Sequence, residues 1–393
     1  MKILIKNAKI ITPYEILKDY AVSIIDNKIE DLRKEDDFDE KNFDKIIDAN
    51  GNYLSPGFID IHNHGNFGYD TMNATFESLE SMSYFHLKNG VTGFLPTTMT
   101  ASLKEIKMAI KNVADYIELQ NNKNKFKEQK SQVLGLYLEG PYFSQEKKGA
   151  HAPRFLKSPE INELKEFLDV SNQTVKIVAL APELPGALEA ITYLKSNGII
   201  VSAGHTNATF LEMKTGIDKG ITLATHLYNG MRCFSHREPA VVGAVLTDER
   251  VFCEVICDGI HLHAAAIELA VKVKGKDKIV LISDAMMATG LEDGEYEIGG
   301  QKVYVKRGVA RLSDGSLAGS TLTLNKAVYN MVNTVNIPLQ DAVRMASLNP
   351  AKVIGISDKK GSIEIGKDAD LIIFDENIRI LTTIVMGNIV SYK

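Results

Sequence analysis

Eight short, nearly continuous apolar runs punctuate the middle of the chain. They are FIDIH (58–62), TGFLPT (92–97), VLGLYLE (133–139), VKIVAL (175–180), IIVSAG (199–204), ITLATH (221–226), VFCEVIC (251–257) and KIVLISD (278–284). Apolar runs without polar alternation are expected of parallel strands covered on both faces. Successive runs start roughly 22 to 42 residues apart, which leaves room for a crossover helix each time. SLESMSYFHLKNG before the second run has that character: Leu79, Met82, Tyr84 or Phe85, and Leu87 recur at helical spacing and end at Asn89-Gly90. Eight such units predict an α/β protein, a (β/α)8 TIM-type barrel. A doubly wound open sheet is the competing arrangement.

The chain ends follow another pattern. KILIKNAKII and AVSIIDNKIEDL near the start, and GSIEIG, ADLIIFD and ILTTIVMGNIV near the end, alternate apolar with polar and carry no crossover helix. Each set is too small for an independent sheet. They are expected to pair as antiparallel strands in one small β-sandwich domain, residues 1–54 with 355–393, beside a barrel over 55–354. Gly-Gly and Asp-Gly turns between short β-like runs predict a β-hairpin insertion near 291–320. Helical patterns resume at TLTLNKAVYNMVNTV and NPAKVIG, where Asn349 is suited to cap and Pro350 to open the helix. The charged stretches 31–45 and 121–131 read as solvated loops.

Composition narrows the class. Apolar content of 45% and charged content of 24% are those of a globular protein, and a net charge of -5 gives no general attraction to nucleic acid or anionic membranes. No apolar run approaches the roughly 20 residues of a membrane span, and no secretory leader is evident. The three cysteines are Cys233, Cys253 and Cys257. An odd number in a long chain does not suggest a disulfide framework, and a cytoplasmic setting is expected.

Chemistry gathers where the runs end, the face on which barrel enzymes work. The first run ends in His62-Asn63-His64, the third in Glu139, the fifth leads to His205, the sixth ends in His226 and the eighth in Asp284. Alone, each has an ordinary reading as a loop histidine, a turn residue or a helix cap. On a barrel all six converge on one funnel. Imidazole and carboxylate without thiolate suit a divalent metal, with Zn, Fe, Co and Mn all open. Such a metal makes water a nucleophile near neutral pH, and Asp284 stands where it can shuttle the proton. Hydrolysis of an amide or related carbon–nitrogen bond is the expected reaction.

The stretches PGFIDIHNHG, YLEGPYF, KKGAHAP, AGHTNAT, ATHLYNGM, REPAVVG, CDGIHL, ISDAM, LAGSTLT, NPAKVIG and GSIEIGKDADLIIFD resemble, in that order, the amidohydrolase superfamily. They resemble most its branch that deacetylates amino-sugar phosphates. The resemblance implies hydrolysis of the acetamide of N-acetylglucosamine 6-phosphate to glucosamine 6-phosphate and acetate. The galactosamine epimer, or another N-acyl substrate, is the alternative. It implies that Glu139, His205 and His226 bind the main metal and that Asp284 is the catalytic acid and base. His62 and His64 would allow a second metal, with Glu139 bridging. The fourth run ends VALAPE, without the lysine that bridges metals in dihydroorotase-like relatives. His151, after Ala150, would polarise the acetamide carbonyl. Asn229 and Gly230 (often alanine in the family), together with the Asp258-Gly259-Ile260-His261 stretch and Arg237, would contact the sugar and its phosphate. One of Arg237 and His261 would come from the partner subunit of a homodimer. Leu317, Ala318 and Gly319 would line the acetyl side.

Overall fold

The structure is a computed structural model that describes residues 1–122 and 130–391. Most of the expected loop at 121–131 lies outside the described residues. Each of the eight apolar runs forms a strand. Phe58–Asn63 and Val91–Pro96 pair in parallel. Leu136–Glu139, Val175–Leu180, Ile200–Ala203, Ile221–Ala224, Phe252–Ile256 and Ile279–Ile282 form a second parallel sheet in sequence order. Single parallel bridges join the two sheets, Thr97 with Tyr137 and Asn63 with Ala285. The backbone bonds Asp284 N–H to His62 O and His64 N–H to Ala285 O, each 2.9 Å, hold the first strand against the eighth. The result is a curled parallel sheet whose first and last strands touch.

Helices follow the strands as the spacing requires. Phe76–Lys88 buries Leu79, Met82 and Leu87 and ends at Asn89. Leu103–Asn121 and Phe210–Lys219 each open on a reciprocal cap, Ser102 with Glu105 and Thr209 with Glu212. The third run differs from the expected single strand. It breaks at Gly135, whose φ of +153° brings the backbone so close that a Cβ would lie 2.8 Å from Thr174 O. Gln132–Val133 before the break pairs with the second strand.

Both chain ends enter one eight-stranded sheet. Lys2–Ile11 pairs antiparallel with Ile16–Ile25. Contrary to the all-antiparallel expectation, it also pairs in parallel with Lys45–Asp48 and Tyr53–Pro56. The chain reverses out of the strand Lys28–Lys34, crosses over, and returns running the same way as the first strand. Residues 31–45 therefore contain strand and short 3-10 turns rather than only loop. Leu371–Phe374 joins through Tyr53–Pro56, antiparallel. Ile3, Ile5, Ile10, Val22, Ile24, Leu54, Leu371 and Ile373 give this sheet its own apolar core.

Two further expectations are corrected. The insertion is a three-stranded meander (Gly294–Ile298, Gln301–Lys306, Val309–Leu312) rather than a hairpin. Its Ile298, Val303 and Leu312 pack with Met99, Ala150 and Ala318, which fastens the insertion over the strand ends. Asn349 does not cap its helix, which starts one residue earlier at Leu348. Its buried amide instead donates to Lys276 O (2.8 Å) and Ile279 O (2.7 Å). It thus pairs a buried carbonyl at the start of the eighth strand and ties it to the exposed segment before it.

Candidate metal centre and active site

His62, His64, Glu139, His205, His226 and Asp284 are all buried and meet at the C-terminal ends of the curled sheet. Glu139 is their centre. Its Oε1 faces His226 Nε2 at 3.2 Å and His205 Nε2 at 3.5 Å. Its Oε2 faces His64 Nε2 at 3.0 Å and His62 Nε2 at 3.6 Å. Asp284 Oδ1 lies 3.3 Å from His64 Nε2 and 3.6 Å from His62 Nε2. Three of these residues sit in left-handed backbone just beyond their strands, His205 at φ 44°, His226 at φ 29° and Asp284 at φ 48°. Such strain in non-glycine residues collects at functional sites.

The outer nitrogen of each histidine has a hydrogen-bond acceptor. His64 Nδ1 faces Thr97 O (3.2 Å), His205 Nδ1 faces Lys147 O (2.7 Å) and His226 Nδ1 faces Asn229 O (3.1 Å). His62 Nδ1 faces the Glu254 carboxylate at 3.0 Å. A carbonyl or carboxylate only accepts, so each Nδ1 carries a proton and each Nε2 faces inward as the nitrogen left to ligate. His62 Nε2 is a buried atom with no hydrogen-bond partner. Inward imidazole nitrogens around ionised carboxylates draw positive charge between them, and the donor set fits a divalent metal ion. His62, His64 and Asp284 bring ligand atoms within 4.8 Å of one another, and so do Glu139, His151 and His205.

Charge in the cluster is strongly coupled. Burial works against the Asp284 carboxylate, yet the surrounding His62, His64 and His226 hold its pKa down at about 2. Glu139 is likewise held well below the usual range, burial being outweighed by His62, His205 and His226. Burial opposes a charge on His64, but Asp284 and Glu139 raise it to about 9. His151 goes the other way: burial, then the neighbouring His205, push it well below an ordinary histidine. It is a neutral ring at pH 7, its centroid 4.4 Å from that of His205.

Apart from His62, these groups open into a cavity of about 200 Å³, also lined by Ala150, His151, Asn229, Gly230, His261, Leu317 and Gly319. Ala318 lies beneath, buried in the core under the insertion. Asp258 does not line the cavity. It holds His261 Nδ1 at 2.6 Å and accepts the backbone N–H groups of Ile260 and His261, both at 2.8 Å. Gly259 and the exposed Ile260 lie outside the cavity too. Arg237 is on the exposed segment 233–237 and does not reach the cavity within this chain. Sequence reasoning missed Glu254, fully buried behind His62, and Ile298 and Met99 on the cavity wall. The signal for Glu254 was present: one carboxylate inside the otherwise apolar run VFCEVIC.

A sheet curled around strand-end histidines and carboxylates defines a metal-site hydrolase architecture, and the chain belongs to the amidohydrolase family, whose pattern spans residues 53–390. Within that family it is 40% identical over 343 residues to the N-acetylglucosamine-6-phosphate deacetylase of Lysinibacillus sphaericus, with 87% of each chain covered. It is also 40% identical over 347 residues to the N-acetylgalactosamine-6-phosphate deacetylase of Escherichia coli O157:H7, covering 88% of this chain and 90% of that one. The crystal structure of N-acetylglucosamine-6-phosphate deacetylase from Pasteurella multocida superposes with a TM-score of 0.93 at 36% identity, and the whole of both chains is covered.

Proposed function

We propose that this protein hydrolyses the acetamide of N-acetylglucosamine 6-phosphate, releasing acetate and glucosamine 6-phosphate for amino-sugar catabolism and recycling. The observation that carries this reading is the convergence of Glu139, His205, His226, His64 and Asp284 with His151 on one cavity, with His62 against Glu139 behind it. The relatives named as deacetylases of an acetylated sugar phosphate support the substrate class. The 1–54 and 355–393 segments are read as the β-sandwich domain and 55–354 as a (β/α)8 catalytic barrel. The strand bridge between Asn63 and Ala285 supports closure of that barrel.

Glu139, His205 and His226 would hold the main metal; His62 and His64, with Glu139 between, would hold a second. Zn, Fe, Co or Mn each suits these ligands. A divalent ion there supplies Lewis acidity and a water acidic enough to act as nucleophile near neutral pH. Asp284 takes the proton as the water oxygen adds to the acetyl carbon. The same carboxyl returns it to the amine nitrogen as the carbon–nitrogen bond breaks. Neutral His151 donates to the carbonyl oxygen as negative charge develops there. Leu317 and Gly319 enclose the acetyl methyl, with Ala318 packed behind them. Ala150, Asn229, Gly230 and His261 frame the sugar, and Asp258, through the turn at Gly259 and Ile260, fixes the His261 ring. Arg237 supplies a cation for phosphate from the partner subunit of a homodimer, which fits its exposure away from its own cavity.

Amine release from N-acetylglucosamine 6-phosphate, its galacto epimer and unphosphorylated N-acetylglucosamine tests the reading. Fast turnover of the first with little of the last is expected. Preference for the galacto sugar would transfer the assignment to that epimer, and equal turnover of the unphosphorylated sugar would remove the phosphate from it.

A further inference from the structure

Of the four histidines His62, His64, His205 and His226, three have Nδ1 anchored on neutral backbone carbonyls and one, His62, on a carboxylate. That carboxylate belongs to Glu254, on the seventh strand Phe252–Ile256. Its side chain is fully buried, and charged groups are rarely buried so completely without a specific partner. Glu254 Oε2 performs two tasks. It lies 3.0 Å from His62 Nδ1 and accepts the backbone N–H of His226 at 3.1 Å. Its other oxygen, Oε1, is buried with no partner. An apolar residue would fill the strand as its neighbours Val255 and Ile256 do, but would leave His62 Nδ1 and the His226 N–H without this acceptor.

We propose that Glu254 is a positioning residue that determines whether the first-strand histidines hold a second metal ion. This rests on the two-metal reading of the site. Anchored on a carboxylate, His62 keeps its proton on Nδ1 and presents Nε2 toward Glu139 and Asp284. The negative charge behind the ring also makes Nε2 a stronger donor than a carbonyl-anchored histidine. Through His226 N–H, the same oxygen fixes the backbone of a ligand to the first metal. One buried carboxylate thus sets the relative placement of both halves of the centre.

The test is metal titration of the chelator-stripped full-length protein with Zn²⁺, reading the affinity of each equivalent by calorimetry and the bound metal by mass spectrometry. Glu254→Gln retains shape and an acceptor oxygen but removes the charge; Glu254→Met removes the acceptor as well. Affinity for the second equivalent is expected to fall about 10-fold in the first variant and about 100-fold in the second. In Glu254→Gln, which keeps an acceptor for His226 N–H, affinity for the first equivalent and the circular dichroism spectrum should stay as in the wild type; Glu254→Met, which removes that acceptor, should weaken the first equivalent too, by less than the second. A merely structural glutamate would lower the melting temperature and leave the ratio of the two affinities unchanged. Two equivalents bound by Glu254→Gln with wild-type affinities would overturn the inference alone, whether or not the methionine variant folds. A wild-type protein that takes up one equivalent, with His62→Gln no different, would overturn the two-metal reading and this inference with it.

Discussion

The rings of His205 and His226 meet nitrogen to nitrogen, with 3.1 Å between their Nε2 atoms. Both Nδ1 atoms are committed to carbonyl oxygens, so the two inward nitrogens meet beside Glu139 Oε1. That arrangement is unfavourable unless a cation shares it. Chelation is therefore expected to abolish turnover, and a stoichiometric divalent metal to restore it. Metal at 100 times its Kd should add about 2.7 kcal/mol to stability, read as a higher melting temperature. A His226→Ala protein should show neither response. Full activity after exhaustive chelation would refute the metal role.

Asp284 is flanked by His62 and His64 and lies within hydrogen-bonding reach of His64 alone, so its loss should affect chemistry more than binding. Asp284→Asn should lower kcat by about 10²–10⁴-fold with KM for the acetylated sugar phosphate near the wild-type value. A variant whose KM rises while kcat holds would make Asp284 a binding group.

Gly230 adopts φ +58°, and a Cβ there would come 2.7 Å from His205 Nδ1, the atom that holds Lys147 O. Gly230→Ala is thus expected to tilt the His205 ring, at a cost of order 1–3 kcal/mol in this backbone region. Metal affinity should fall roughly 10-fold, about 1.4 kcal/mol. A crystal structure of the variant with His205 unmoved would contradict the steric argument.

Arg237 provides a test that separates phosphate from sugar. A charge-assisted bond is worth about 1.5–3 kcal/mol, so Arg237→Ala should raise KM for the phosphorylated substrate about 10- to 100-fold. Turnover of unphosphorylated N-acetylglucosamine should not change. If the arginine acts across a dimer, mixing Arg237→Ala with Asp284→Asn subunits should restore hybrid sites carrying both wild-type residues.

His86, buried in the helix before the second strand with its ring centroid 4.4 Å from that of Phe94, gives a pH prediction unconnected with the metal. Burial lowers its pKa to about 3, below the 6.5 of an ordinary histidine. The unfolded chain therefore binds the extra proton first, and stability present above pH 6.5 is lost as pH falls toward 3. Comparison of melting temperatures from pH 7 to pH 4 should show His86→Leu less acid-sensitive than the wild type. Parallel curves would show that His86 is not buried as a neutral ring.

The eight strands and the ligands at their ends were legible because both depend on local pattern. An apolar run announces a buried strand, and a polar residue at its end can only emerge at one face of the sheet. What was not legible depends on contacts distant in sequence. The parallel return of Lys45–Asp48 beside Lys2–Ile11, and Asn349 serving Lys276 and Ile279 carbonyls, arise from tertiary pairing that no local spacing encodes. Glu254 was visible as an anomaly but uninterpretable until His62 stood beside it. Arg237 could be matched to a phosphate contact by resemblance, whereas its place on an exposed segment away from the cavity shows only in the folded chain.

The left-handed backbone at His205, His226 and Asp284 has a further consequence. Each position would be more comfortable as glycine, and forcing a larger residue there costs on the order of 1–2 kcal/mol. The mouth of the sheet is therefore under a tension that only chemistry justifies. Glycine at any of the three would relieve that strain only by removing a metal-facing imidazole or the acid–base carboxylate. Durability and catalysis are in direct opposition at those three residues.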